Sequence, residues 1–170
     1  MTIKPACGWR EWVSLPDLEI RGIKAKIDTG ARTSAIHARH IKTYTRHGHT
    51  YVSFCVYPTQ RSNKDAVWCR APLIDERDVR NSGGKAESRY VVRTTLKMGG
   101  DTWPIELTLT QRDNMGFRML LGRTAVRDRV LVDAGRSYLI GKKPAQKNLK
   151  GAHKHKHKHK HKEGKTGDAS

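Results

Sequence analysis

The sequence predicts an all-β domain with one short helix and a disordered basic tail, and three observations predict it. Apolar and polar residues alternate at period two through most of residues 8–140. Glycine-centred turns punctuate those runs, and the composition changes abruptly after residue 141, which places a folded domain at 1–141 and a tail at 142–170.

Taken in order, Gly8–Pro16 and Leu18–Ile27 read as two antiparallel strands, the second ending at Asp28, and Thr33–Ala38 as a further short strand. Tyr51–Pro58 and Ala66–Ile74 are rich in β-branched and aromatic residues, with a polar loop between them, and so form a hairpin. Residues 75–89 are highly charged around Ser82-Gly83-Gly84; they have little to bury, and the paired glycines give the tip hinge freedom, as a mobile lid would need. Tyr90–Met98 and Thr102–Thr110, joined by Gly99-Gly100-Asp101, form the clearest hairpin, and Pro104 places the start of its second arm at an edge or bulge. Phe117–Gly122 is an apolar strand ending at glycine, Thr124–Arg129 the one short helix, and Val130–Asp133 and Ser137–Ile140 the last strands.

Formal net charge is +18, from 34 basic and 16 acidic residues. Residues 141–170 hold ten lysines and two acids, so +10 remains on residues 1–140, and the folded part is basic in its own right. That favours acidic partners: nucleic acid, an anionic surface or an acidic peptide. Three cysteines at Cys7, Cys55 and Cys69 fit no disulfide framework, and the N-terminus lacks a charged-then-apolar leader, so a cytoplasmic location is expected; Cys55 and Cys69, with no second pair at Cys-x-x-Cys spacing, read as buried free thiols. No apolar run approaches the roughly 20 residues of a membrane helix, and no membrane partner is expected.

The chemistry centres on Lys26-Ile27-Asp28-Thr29-Gly30-Ala31-Arg32. A strand that runs into Asp-Thr-Gly delivers one carboxylate onto a tight turn. Gly30 lets the backbone fold beneath it, and Thr29 offers a hydroxyl to hold the loop. His37 and His40 lie three apart without a third metal ligand nearby in sequence, and read as partly exposed strand-end residues. Gly164-Lys165-Thr166 is not a phosphate-binding loop, because His stands at position 159 where that motif needs glycine. Residues 153–162 are a strict His-Lys repeat, either a loose transition-metal binder or an added segment.

The turn Lys26–Ala31, the Gly-Gly-tipped loop, the long hairpin and Met119-Leu120-Leu121-Gly122-Arg123 resemble, in this chain order, the retropepsin-like aspartic proteases. Longer stretches, among them Gly8–Val13, Lys24–Ala35, Thr102–Thr110 and Met115–Ala125, are similar to the bacterial family labelled ATP-dependent zinc protease, associated with the ligase that adds glutamates to a small-subunit ribosomal protein. The resemblance implies a retropepsin-like closed β-barrel and a homodimer, since one chain holds one Asp-Thr-Gly. It implies Asp28, Thr29 and Gly30 as catalytic residues, a flap tipped by Ser82, Gly83 and Gly84, and structural support from Gly122 and Arg123. The label implies zinc and ATP, yet the sequence has neither His-Glu-x-x-His nor a phosphate-binding loop, so no cofactor and no metal is expected. Arg32 stands where retroviral members place an acid, which leaves Arg123 to find another partner. With Arg61, Arg77, Arg80 and Arg89, Arg32 is expected to bind acidic side chains, which points to glutamate-rich tails such as a glutamylated ribosomal protein.

Two other readings stand beside this one. A nucleic-acid- or ribosome-binding β-barrel without catalysis would use the basic charge, the tail, and Tyr44, Tyr51 and Tyr57, although these aromatics form no recognisable stacking motif in sequence. A zinc metalloprotease would draw ligands from His37, His40, Asp28 and Cys69.

Overall fold

A computed structural model describes residues 3–60, 62–80, 83–111 and 116–144. In chain order the strands are β1 (Ala6–Gly8), β2 (Arg10–Leu15), β3 (Ile20–Asp28), β4 (Ser34–His37), β5 (Arg39–Arg46), β6 (His49–Val56), β7 (Val67–Arg80), β8 (Ala86–Met98), β9 (Asp101–Thr110), β10 (Met119–Gly122) and β11 (Leu131–Asp133), with α1 (Arg123–Val126) between the last two. The expected barrel takes the form of a ring. Strands β2, β3, β10, β4, β9 and β8 pair in that order, and β2 meets β8 again at Ser14 and Lys97.

Strand β8 makes this possible because it is long enough to serve two neighbours on one edge. Its first half pairs with β7 and its last residues reach β2, while β9 runs along the other edge from Val91 to Met98. Strands β7, β6 and β5 then continue the sheet outward as a wing. The ring interior is filled by alternate residues of each strand: Val13 and Leu15, Ile23, Ala25 and Ile27, Leu107 and Leu109, Met119 and Leu121. This is the inward face that period-two patterning demands.

Most of the predicted elements form, and the departures have physical causes. The helix is a single turn, because Arg127 is extended at ψ 133° and Asp128 is left-handed at φ 65°. Ser137–Ile140 is no strand; it is a strap beside β2, where Tyr138 N–H donates to Arg10 O at 3.0 Å, and Glu11 acts on it. The Glu11 side chain is wholly buried, Oε2 accepting N–H bonds from Gly8 and Leu139 at 2.6 and 2.7 Å and Oε1 from Ile140 and Gly141 at 3.1 and 2.7 Å. Pro104 lies three residues inside β9, where β8 pairs on one edge but β4 does not join until Leu107, so its missing N–H costs no ladder bond. Strand β5, unforeseen in the sequence, is a mostly exposed edge. His37 is buried at 1% exposure, against the expectation of a partly exposed residue, because β4 lies between β10 and β9.

All three cysteines are buried free thiols, as expected for Cys55 and Cys69. Burial pushes the Cys7 thiol up to about 11 and Cys69 up to about 12, with neighbouring Glu11 adding to the first and Cys55 and Glu19 to the second. Pro144 lies directly over Gly22, where no side chain would fit, so the packed chain continues past 141. The tail expectation otherwise falls on residues 145–170, outside the described residues. Among the described residues no helix is long and apolar enough to cross a membrane.

Candidate active site

Asp28 is the last residue of β3, where the parallel pairing with β10 sets it beside Gly122. The chain then turns, and the N–H groups of Gly30 and Ala31 donate to Asp28 Oδ1 at 3.1 and 3.2 Å. The carboxylate thus organises its own loop while Thr29 and Gly30 stay exposed at the rim.

The segment after β10 braces that loop from behind. Arg123 N–H donates to Ala31 O at 2.8 Å, Arg123 Nη1 to Gly30 O at 3.3 Å, and Thr124 Oγ1 to Arg32 O at 2.6 Å. Ser34 completes the brace: its hydroxyl accepts from Gly122 N–H at 3.1 Å, and its carbonyl accepts from Thr108 Oγ1 at 2.9 Å. The partner Arg123 had lost with an arginine at position 32 is therefore a loop carbonyl. Gly122 is required by space: a Cβ there would lie 2.7 Å from Thr33 C and 2.9 Å from Ala31 O, both backbone. Gly122→Ala is expected to lower stability by about 2 kcal/mol and the melting temperature by roughly 6 °C. A thermal melt indistinguishable from the parent would show that the loop is not pinned there.

Beside the loop lies a cleft of about 910 Å³, bounded by Arg32 and Thr33, by Arg77–Arg80 of β7, by Arg93 of β8, by Pro104–Glu106 of β9 and by α1. Four of its residues are arginines, Arg32, Arg77, Arg80 and Arg93, against the acids Asp78 and Glu106. They are not equivalent. Arg77 is occupied by Asp75 at 2.6 Å and Glu106 at 3.1 Å, and its guanidinium, with the Glu76 N–H, holds the Asp75 carboxyl below its usual range. Arg32, Arg80 and Arg93 have no ion pair among the described residues.

Of the arginines expected to bind substrate, Arg32, Arg77 and Arg80 reach this cleft. Arg89 does not. It is 8% exposed and pairs at 3.4 Å with Glu87, two residues before it on β8. Arg93 was missed, although its place in the β8 alternation, an exposed residue between buried Val92 and Thr94, marks it as outward-facing. Arg61 lies outside the described residues. The loop expected to be a flap is the far end of the β7–β8 hairpin, with Gly84 at its turn in the left-handed region at φ 80°; Gly83 lies beside it, and Ser82 is outside the described residues.

No three His, Cys, Asp or Glu side chains come together to hold a metal ion among the described residues. The four ligands offered by a metalloprotease reading are dispersed by the fold. His37 is buried between strands, His40 stands on the exposed wing, Cys69 is in the core, and Asp28 is at the rim. That donor set does not fit a zinc site.

Residues 6–143 match the family described as retropepsin-like aspartic endopeptidase RimB. A probable alpha-L-glutamate ligase of Desulfotalea psychrophila is 48% identical over 139 residues, and one of Shewanella pealeana 45% over 136, covering 82% and 80% of this chain. The chain spans 30% of the length of each. A crystal structure of a Legionella pneumophila protein with unknown function superposes with a TM-score of 0.70 at 26% identity, over 81% of this chain and 99% of that one.

Proposed function

The chain belongs to the retropepsin-like aspartic endopeptidase RimB family, and on that premise we propose that it is an aspartic peptidase of glutamate-rich peptide tails, active as a homodimer through two copies of Asp28. The observation that carries the reading is the Asp28 loop, a half-buried carboxylate at the rim, fixed by two N–H donors and braced from behind by Gly122–Thr124. A single such carboxylate is half of a general acid–base pair, and the second copy supplies the other half.

Two carboxylates side by side disfavour double ionisation and share one proton. The ionised one takes a proton from water as the water oxygen attacks the peptide carbonyl carbon. The protonated one donates to the carbonyl oxygen. In the resulting diol the C–N bond then breaks, the nitrogen taking a proton from one carboxyl while a diol hydroxyl returns its proton to the other. The β7–β8 hairpin closes over the bound peptide and excludes water.

The cleft supports the choice of substrate. Arg32 and Arg80, with no ion pair among the described residues, face an opening beside the loop, and a glutamate side chain offers each a bidentate partner. Relatives named for joining glutamate contain the same domain, which fits a substrate made of added glutamates, a glutamylated ribosomal protein among them.

The test compares a peptide ending in several glutamates with its glutamine counterpart. The acidic peptide is expected to be cleaved with at least tenfold higher kcat/KM, and Arg32→Glu with Arg80→Glu to remove that preference chiefly through KM. Equal turnover of the two peptides by the parent would overturn the acidic-substrate reading. Activity proportional to protein concentration down to a monomeric sample would overturn the shared Asp28 pair.

A further inference from the structure

The wing of the sheet carries a second surface, on the outer face of β5, β6 and β7. Val52, Phe54 and Val56 of β6 point inward to the core, so Tyr51 and Ser53 point out. The pairing register fixes what lies beside them. Tyr51 is flanked by Tyr44 and Pro72, Ser53 by Lys42 and Arg70, and Cys55 by Trp68, while Arg46 faces His49 at the free end.

These residues form stations. Tyr44 and Tyr51 stack at 5.6 Å with their planes 22° apart, and His40, in the left-handed region at φ 55°, stacks on Trp68 at 5.6 Å and 30°. Trp68 stays 66% exposed with the His40 ring stacked on it, a large apolar surface open to solvent. Four residues of β6 separate the two aromatic stations, about 13 Å at ~3.3 Å per residue. The Lys42–Arg70 pair stands midway between them. A shallow depression of about 420 Å³ opens at one end, lined by Tyr44, Arg46, His47, Tyr51, Arg70 and Pro72.

The charge is one-sided. No Asp or Glu occurs between residues 29 and 64, so β5 and β6 present cations and imidazoles with no acid among them. Ring, cation, ring, cation along one face matches a chain of alternating planar bases and phosphates. A duplex buries its base faces in its own stack and could use only the cations. An acidic peptide likewise gains nothing from the rings.

We propose that this face of the wing binds single-stranded nucleic acid, with bases stacked on Tyr44, Tyr51 and Trp68 and phosphates held by Lys42, Arg46 and Arg70. The surface is separate from the Asp28 loop and its cleft, and the proposal does not depend on the peptidase reading.

Fluorescence anisotropy of the full chain with a labelled oligouridylate of about a dozen nucleotides tests it. Tyr44→Ala with Tyr51→Ala, and separately Trp68→Ala, are each expected to weaken binding about tenfold or more. Lys42→Glu with Arg70→Glu is expected to weaken it further and to flatten its salt dependence. Arg21→Glu with Lys97→Glu, on β3 and at the β2 end of β8 away from the wing, serves as the matched surface charge change and is expected to have a smaller effect. The tail stays in every variant, so an affinity left unchanged by the aromatic changes overturns the proposal. No binding by the parent, equal affinity for a duplex of the same length, or equal displacement by an oligoglutamate peptide would each overturn it as well. Unchanged circular dichroism and melting temperature in the aromatic variants certify that the wing is folded.

Discussion

Asp28→Asn is expected to reduce peptide hydrolysis by a factor of 10² to 10⁴ while leaving the fold intact. The asparagine side chain has the same shape, and its Oδ1 accepts the Gly30 and Ala31 N–H bonds as the carboxylate does. The loop, the brace from Gly122–Thr124 and the cleft therefore persist. What the variant lacks is the ability to take a proton from water, so the loss belongs in kcat. Measured turnover of a glutamate-rich peptide, beside a melting temperature within about 2 °C of the parent, checks both halves. Full activity in the variant would remove Asp28 from the chemistry, whatever the substrate.

The largest effect on stability is expected at Glu11. Its two oxygens take four backbone N–H groups, two each, from Gly8, Leu139, Ile140 and Gly141, in a wholly buried position. Glu11→Ala orphans all four donors. At about 1–3 kcal/mol for each donor left buried, and with partial recovery as water enters, a net loss near 4 kcal/mol follows. The melting temperature should fall by roughly 12 °C. Glu11→Gln should lie between, since its amide NH₂ would face two N–H donors while its oxygen still serves the other two. A melt of Glu11→Ala within a few degrees of the parent would show that the strap is held by other contacts.

The outline of the ring was legible because buried strands write their faces into the sequence at period two, and Asp28-Thr29-Gly30 was legible because its turn is local. Gly122 and Arg123 were placed through a family resemblance; their contacts with residues 30–33 come from parallel pairing of β10 with β3 across nearly the whole chain, which no local pattern encodes. Glu11 was overlooked, yet it sits in the inward register with Val13 and Leu15, and an acid at an apolar position was the available signal. Arg89 was grouped with the cleft arginines and Arg93 left out for the related reason that residue type was read without strand phase. Strand β5 escaped because an edge exposed on both faces has no alternation to detect. The stacking of Tyr44 on Tyr51 depends on the β5–β6 register, so a motif sought as a linear pattern was invisible until the strands were paired.

The parallel pairing of β3 with β10 also sets an order of events during synthesis. Asp28 leaves the ribosome long before Gly122–Thr124, and at about 5–20 residues per second the delay is roughly 5–20 s. For that interval the carboxylate turn has no brace, and the ring has neither β10 nor the strap that Glu11 fastens. A nascent chain therefore carries Asp28-Thr29-Gly30 without the braced turn. The loop takes its final shape only when β10, α1 and the strap have arrived.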